Sequence, residues 1–376
     1  MINSIMSMNK FGQYFHEATF TDQYGELKTT KIPVVQELAR TNQFPSSFIA
    51  SSSLAAATRL ETPPVIDIAK LHSCDGYSRT VELQRLAEAA KEWGLFLIKN
   101  HGLVLDDAKD VIKGFFGLSF EEKKASVGSY KSVDNMGYGK NFVKSEDQPL
   151  DWIDRLTMKA APALFVDQST NGLSVWPNKP PNFRQAIEKY VEDSRKVLDG
   201  LLQDLAESLS LDKNVFLQHF EPRQSEIKVR VNYYPPCPRP DLAIGLMPHS
   251  DASGLTLLLE FGATRALQVY KGSGWVTLEW PNDNSLLVNI GDLLEIMSNG
   301  VLKSMWHQVR TQLDVERFSL AYFYNPPPHS AIGPVVGGSS LEEIMYKKVV
   351  VEDYVSNYYK ISPTTSKVAI LYAKRP

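Results

Sequence analysis

The chain has 376 residues, 43% hydrophobic and 22% charged, which is ordinary soluble usage and excludes a disordered or fibrous protein. Lys and Arg total 40 against 43 Asp and Glu, a formal charge of −3, so the broad basic excess of a nucleic-acid binder is missing. Cys74 and Cys237 are the only cysteines, which excludes a disulfide framework, and no apolar run approaches the roughly 18 residues of a bilayer span. The N-terminus (MINSIMSMNKFGQYFHEATF) lacks the uninterrupted apolar stretch of a secretory signal. A soluble cytoplasmic protein is expected, built as one elaborated domain or two fused ones.

Residues 1–60 read as an N-terminal extension whose small-residue tract, Ser46 to Ala57, fits a linker or a lightly packed helix equally. The first firm element is PPVIDIAKL (63–71), an alternating strand punctuated by two prolines. Leu83, Leu86, Ala90 and Trp93 then recur at three- and four-residue spacing and predict a helix over 80–93, stopped by Gly94. LFLIKN (95–100) follows as a short buried strand. A long helix is predicted from Phe183 to Leu209, with Ile187, Tyr190, Val191, Val197, Leu198, Leu201 and Leu205 on one stripe behind Pro180 and Pro181. These elements make 61–215 a largely helical region.

From Ile227 the texture changes to short apolar runs separated by Gly, Pro, Asn and Asp. KVRVNYY, LTLLLE, ALQVY, WVTLEW, SLLVNIG, SMWHQVR and FSLAYFY read as seven strands, which argues for a sandwich or barrel over 225–330. The tail, 331–376, turns helical again from Leu341. No internal repeat is visible, and no coiled-coil heptad, so a monomer is expected.

Seven histidines are present, and His249 stands out because it lies two residues before Asp251 in PHSDASG. On extended backbone, residues i and i+2 project to one face, so imidazole and carboxylate can converge. His307, in a late strand of the same sheet system, offers a third ligand. Two imidazoles and one carboxylate suit a divalent first-row metal, with non-haem Fe(II) and zinc both open on these residues alone. Ten residues on, Arg317, Ser319, Ala321 and Phe323 share one strand face, and Phe318, Leu320, Tyr322 and Tyr324 the other. An Arg and a hydroxyl two residues apart can hold a carboxylate. Lys228, Arg230, Asn232 and Tyr234 form a second polar face, turned either to solvent or to a polar cavity.

Taken together, PPVIDI, AAKEWGLFLIKNHG (88–102), GYG (137–139), NYYPPCPRPDL (232–242), PHSD (248–251), NIGDLLEIMSNG (289–300), His307 and RFS (317–319) resemble the plant 2-oxoglutarate- and Fe(II)-dependent dioxygenases. The ordered blocks span roughly 63–330. The resemblance implies a mixed α/β chain with an all-β core, a double-stranded β-helix or jelly roll, with an N-terminal helical segment and a C-terminal helix. It implies His249, Asp251 and His307 as iron ligands, Arg317 and Ser319 as the clamp on the distal carboxylate of 2-oxoglutarate, and Tyr234 and Asn232 as accessory positions. Fe(II), 2-oxoglutarate and O2 are the implied cofactor and cosubstrates, with ascorbate as reductant and succinate and CO2 as products.

Substrate-pocket candidates are Phe323, Tyr138, Phe142 and Arg230. Tyr322 and Trp152 are further possible wall residues, with the core the favoured place for Trp152. The overall pattern is similar to specialised-metabolism enzymes, including alkaloid and flavonoid hydroxylases and demethylases, and KIPVVQELAR (31–40) leans toward the alkaloid group. A small-molecule substrate is expected, without nucleic acid or membrane. Departures from the pattern are Gln308 where Arg is more usual, Ala266 before LQV, and Ser250 where Thr is frequent; His101 is read as structural. The competing readings are a same-fold oxidase that does not use 2-oxoglutarate and a non-catalytic binding protein on the same scaffold.

Overall fold

The structure, a computed structural model, describes residues 14–21, 25–50, 59–127, 136–139, 143, 145, 148–161, 176–221, 224–281, 283–335, 343–361, 367 and 369–375. β1 (Phe15–Thr21) and β2 (Leu27–Pro33) form a hairpin. β3 (Arg59–Glu61) straddles the end of the extension; the largely helical region then holds β4 (Val65–Asp67) and β5 (Leu95–Lys99), within the two segments expected as strands, and β6 (Gly137–Tyr138) and β7 (Asp154–Ala161), which were not expected. The strand-rich region supplies β8 (Glu226–Tyr234), β9 (Ile244–His249), β10 (Leu255–Gly262), β11 (Leu267–Lys271), β12 (Gly274–Leu278), β13 (Leu286–Ile290), β14 (His307–Arg310) and β15 (Arg317–Asn325). All seven expected strands are there, joined by β9, which carries His249. A small pair, β16 (Ala331–Ile332) and β17 (Val349–Val350), completes the set.

Two mixed sheets result. The larger runs β4-β5-β13-β10-β15-β8-β7-β6 and the smaller β3-β12-β11-β14-β9. Strand alternation explains why they stack. Val269, Val276 and Val309 of the small sheet meet Leu258, Leu287 and Ala321 of the large one in a shared buried cluster. The opposite face of the large sheet is apolar too: Leu257, Val288, Leu320 and Tyr322 point into a second cluster shared with the helices.

Helix α1 (Val35–Arg40) and the short α2 (Ile68–Leu71) precede α3 (Gly76–Glu88), α4 (Asp106–Gly117) and α5 (Phe120–Ser126). The long helix α6 (Phe183–Ser208) buries Ile187, Tyr190, Val191, Leu198, Leu201 and Leu205, as its periodicity predicts. Each such side chain contributes about 1.5–3 kcal/mol when removed from water. After α7 (Asp292–Met297) comes α8 (Val351–Ile361); the tail expected to turn helical from Leu341 does so only at Val351, after β17 has paired with β16.

Two expectations are corrected by local hydrogen bonding. PPVIDIAKL is a strand only over Val65–Asp67, because the Asp67 carboxylate accepts the Ala69 N–H and starts α2. The helix predicted from residue 80 begins at Gly76, because Asp75 caps the N–H groups of Tyr77 and Ser78. It ends in a π-turn over Ala89–Trp93 at Gly94, which has φ +63°, and a Cβ there would sit 2.1 Å from the Lys303 carbonyl oxygen. The N-terminal extension is tied down: the Asp154 carboxylate accepts the N–H groups of Val35 at 3.1 Å and Gln36 at 2.9 Å. Of the Ser46–Ala57 tract, Ser46–Phe48 is a 3-10 turn and residues 51–58 lie outside the described residues.

Candidate active site

Pairing of β14 with β9 sets His307 directly opposite His249, with ring centroids 4.2 Å apart. Asp251 lies just past the end of β9. Its Oδ1 is 3.9 Å from His249 Nε2 and 3.7 Å from His307 Nε2. The three donor atoms lie within 4.8 Å of one another, the spacing of ligands on one face of a metal ion. Each imidazole donates its Nδ1–H to a backbone carbonyl, His249 to Met247 at 2.8 Å and His307 to Met305 at 3.1 Å. That fixes the tautomer in which the Nε2 lone pairs point at Asp251. Burial and the neighbouring His307 push the His249 pKa down to about 3, so the ring is neutral and able to ligate. Burial raises Asp251, but the two imidazoles and hydrogen bonds from Asn289 and Thr256 outweigh it and hold the carboxyl below its ordinary range. Two imidazoles, each held by a backbone carbonyl at Nδ1, and one carboxylate make a donor set that fits a divalent cation.

Around these ligands the contacts come from three directions. Asn289 of β13 donates to Asp251 Oδ2 at 3.2 Å. The Asp292 N–H of α7 donates to the Asp251 carbonyl at 2.8 Å, and Ser250 Oγ donates to the Asp292 carboxylate at 3.1 Å. From α8, Tyr358 donates to the Ser250 carbonyl at 2.6 Å and Tyr354 to Asp292 at 2.8 Å. Gly291 is required where this loop passes, since a Cβ there would lie 2.0 Å from the Ser253 oxygen. The C-terminal helix is thus part of the frame of the metal site.

The inner face of the large sheet is laid out by register. Glu260, Ser319, Asn232 and Arg155 form one row across β10, β15, β8 and β7. Leu258, Ala321, Arg230 and Thr157 form the next, and Thr256, Phe323 and Lys228 the one beyond. Arg317 and Tyr234 face each other at the far end, the guanidinium 5.0 Å from the ring centroid. Asn232 Nδ2 donates to Ser319 Oγ at 3.2 Å. Arg317 is 3% exposed, and its Nη1 has no hydrogen-bond partner among the described residues. An unpartnered buried guanidinium nitrogen on the face of a buried hydroxyl is what a ligand carboxylate would satisfy.

A cavity opens between the Arg155, Lys228, Arg230 and Phe323 part of this face and His249 and Asp251; Arg317, Ser319, Asn232 and Tyr234 are not among its lining residues. Phe323 and Arg230 line it, as expected, with the Arg230 guanidinium 5.3 Å over the Phe323 ring and its Nε donating to Thr157. Tyr138 does not: it sits opposite Leu156 on the helix-facing side of β6–β7 and is fully buried against Phe115 and His16. Tyr322 is likewise on the helix-facing side of β15. Trp152 is core, packed on Phe44 and Phe48, with its Nε1 donating to the Pro235 carbonyl. Phe142 lies outside the described residues.

Several wall residues escaped the sequence reading. Asp151 comes from the segment before β7 and Arg155 from its start, Val355, Tyr358 and Tyr359 from α8, and Lys228 from the polar face of β8. Burial raises the Asp151 pKa to about 6, against the pull of Arg155 and the Met247 N–H. The alternation in RLTMK, with Arg155, Thr157 and Lys159 on one face and Leu156 and Met158 on the other, was the available signal for Arg155. The departure at Gln308 is absorbed by a 2.7 Å bond to Gln268 on the neighbouring strand. His101 lies apart, bonded to the Asn284 carbonyl and the Leu103 N–H.

Residues 226–326 match the family described as 2OG-Fe(II) oxygenase superfamily, and residues 63–179 the one described as non-haem dioxygenase in morphine synthesis N-terminal. The chain is 36% identical to codeine O-demethylase of Papaver somniferum over 81% of its own length and 85% of the relative's. It is 34% identical to oxoglutarate-dependent flavonoid 7-O-demethylase 1 of Ocimum basilicum, over 88% of each chain. Among solved structures it is similar to JOX2 in complex with 2OG, Fe and JA, with a TM-score of 0.79, 32% identity, and 92% of this chain and 98% of that one covered.

Proposed function

The chain belongs to the 2OG-Fe(II) oxygenase superfamily, and we propose that within it the protein oxidises a small acidic metabolite, on a core of double-stranded β-helix type. The enzyme is an Fe(II)- and 2-oxoglutarate-dependent oxygenase. When bound, iron and cosubstrate supply the oxidation of a substrate C–H bond, with 2-oxoglutarate and O2 consumed and succinate and CO2 released. In our reading His249, Asp251 and His307 hold the iron, Arg317 and Ser319 take the distal carboxylate of 2-oxoglutarate, and Asn232 and Tyr234 support that pair. The protein's remaining task is to aim one C–H bond at the metal.

The substrate class rests on one observation, the sign of the cavity wall. Arg155, Lys228 and Arg230 face two carboxylates, Asp151 and Asp251, and the second is committed to the metal. An amine alkaloid, cationic at neutral pH, meets like charge on such a wall. A carboxylate or acidic phenol with a flat apolar body meets Arg230 for its charge and Phe323 for its ring. Comparing an acid with its methyl ester tests this. The acid should drive iron-dependent succinate release at a lower KM than the ester, and Arg230→Met should abolish the difference. Equal KM values in the wild type would remove the acidic-substrate reading.

We infer a cytoplasmic monomer as well. Two unbridged cysteines, Cys74 and Cys237, support the reducing compartment. Among the described residues no helix is long and apolar enough to cross a membrane.

A further inference from the structure

The Arg317 guanidinium already has a carboxylate beside it. Glu260 of β10 stands directly opposite Ser319 in the β10–β15 register, so both side chains project from the same inner face. Arg317 Nε and Nη2 both bond Glu260 Oε2, and the two side chains are 3% and 4% exposed. The pair leaves Nη1 as the one guanidinium nitrogen without a partner among the described residues. Burial raises the Glu260 pKa, and Arg317 pulls against it through charge and hydrogen bonding. The clamp therefore carries no net charge where a dicarboxylate is to be held.

We propose that Glu260 is an internal carboxylate that shares Arg317 with the distal carboxylate of 2-oxoglutarate, and so sets the affinity and selectivity of the cosubstrate site. The inference rests on the reading of Arg317 and Ser319 as that site. A second carboxylate brought to Nη1 and Ser319 comes within a few ångströms of the first, in a region where burial strengthens their repulsion. The cosubstrate gains the hydrogen bonds of Nη1 and the hydroxyl but little net charge attraction. A 2-oxo acid without a distal carboxylate forgoes those bonds and escapes the repulsion. Glu260 thereby narrows the gap between the two ligands. The Glu260→Gln change keeps an acceptor for Nε and removes the charge, which separates the electrostatic role from simple support of the arginine.

The test is direct binding. Full-length protein loaded with Fe(II) under anaerobic conditions is titrated calorimetrically with 2-oxoglutarate and with 2-oxopentanoate, in wild type, Glu260→Gln, Glu260→Met and Arg317→Gln. Glu260→Gln should bind 2-oxoglutarate about tenfold or more tightly than wild type, with 2-oxopentanoate unchanged. Glu260→Met, which also removes the charge, should shift in the same direction and serves if the glutamine variant does not fold. Unchanged or weaker 2-oxoglutarate binding in folded Glu260 variants would overturn the proposal and leave Glu260 as a structural partner. Arg317→Gln separates the two layers of the argument. If it leaves 2-oxoglutarate affinity intact, the clamp reading itself fails; if it weakens 2-oxoglutarate alone, the clamp stands and the Glu260 variants decide.

Discussion

Strands β8 and β15 present two faces of one hydrogen-bonded ribbon. Toward the helices they show Val229, Val231, Tyr233, Phe318, Leu320, Tyr322 and Tyr324, all buried in one apolar cluster. On the opposite face they show Lys228, Arg230, Asn232, Tyr234, Arg317, Ser319, Ala321 and Phe323, of which Lys228, Arg230 and Phe323 line the cavity while Tyr234 and Ala321 pack in the cluster between the sheets. Backbone, register and depth are common to both, so the contrast isolates what side-chain chemistry adds. One face supplies stability by removing apolar area from water. The other buries polar groups, which costs free energy unless each finds a partner, and Arg317 Nη1, without one among the described residues, is the group we propose a ligand satisfies.

If that division is right, substitutions on the two faces fail in different ways. The largest effect belongs to the metal site next to the polar face. Asp251→Ala removes one of three ligands and the only anionic one, so iron should be lost on dialysis and succinate formation should fall to background. The folded protein should survive, as read by an unchanged far-ultraviolet circular dichroism spectrum. Full turnover in that variant would be incompatible with the assigned centre.

The apolar face predicts the reverse. Leu320 is fully buried between β15 and the helices, and Leu320→Ala should cost about 2–5 kcal/mol of unfolding free energy from lost transfer and a residual cavity. Iron affinity in the fraction that remains folded should be unchanged. A denaturant titration beside an iron-binding isotherm measures both at once. Loss of iron affinity without loss of stability would show that the two faces are not separable.

Asn289→Ala probes the boundary, since Asn289 sits on β13 but bonds Asp251. Removing a hydrogen bond that orients a ligand carboxylate weakens metal binding by about 10–100-fold in comparable sites. Stability should change by far less than for Leu320→Ala. The same isotherm reads the result.

The two faces also differ in how far the sequence revealed them. Period-two alternation in KVRVNYY and RFSLAYFY assigns every residue of both strands to a face, and HxD spacing with a late-strand histidine assembles the metal ligands. What alternation does not report is which strands become neighbours. Arg155 enters the Ser319 row only because β7 pairs with β8, after a gap of more than sixty residues in the chain. Glu260 joins Arg317 through the β10–β15 pairing. Tyr138 was misplaced for the same reason: its face is decided by its partner Leu156, not by the glycines beside it. Tyr358 and Tyr359 reach the cavity from a helix whose docking is tertiary.

That docking gives the smallest prediction and the finest test of the comparison. The Tyr358 hydroxyl donates to the carbonyl of Ser250, between two metal ligands in sequence, at 2.6 Å, while its ring lines the cavity. Tyr358→Phe keeps the ring and deletes one buried donor, leaving the carbonyl unsatisfied at a cost of about 1–3 kcal/mol. If α8 acts only as a lid of apolar surface, the loss should appear in the melting curve and nowhere else. If it also holds the ligand loop in place, iron should dissociate faster from the variant, because Ser250 sits between His249 and Asp251. The loop's other tethers, Asn289 and the Asp292 N–H, remain in the variant and should limit that change to a few-fold. We expect the second outcome, with a faster iron off-rate under chelator competition, since the bond falls on the loop that carries both ligands.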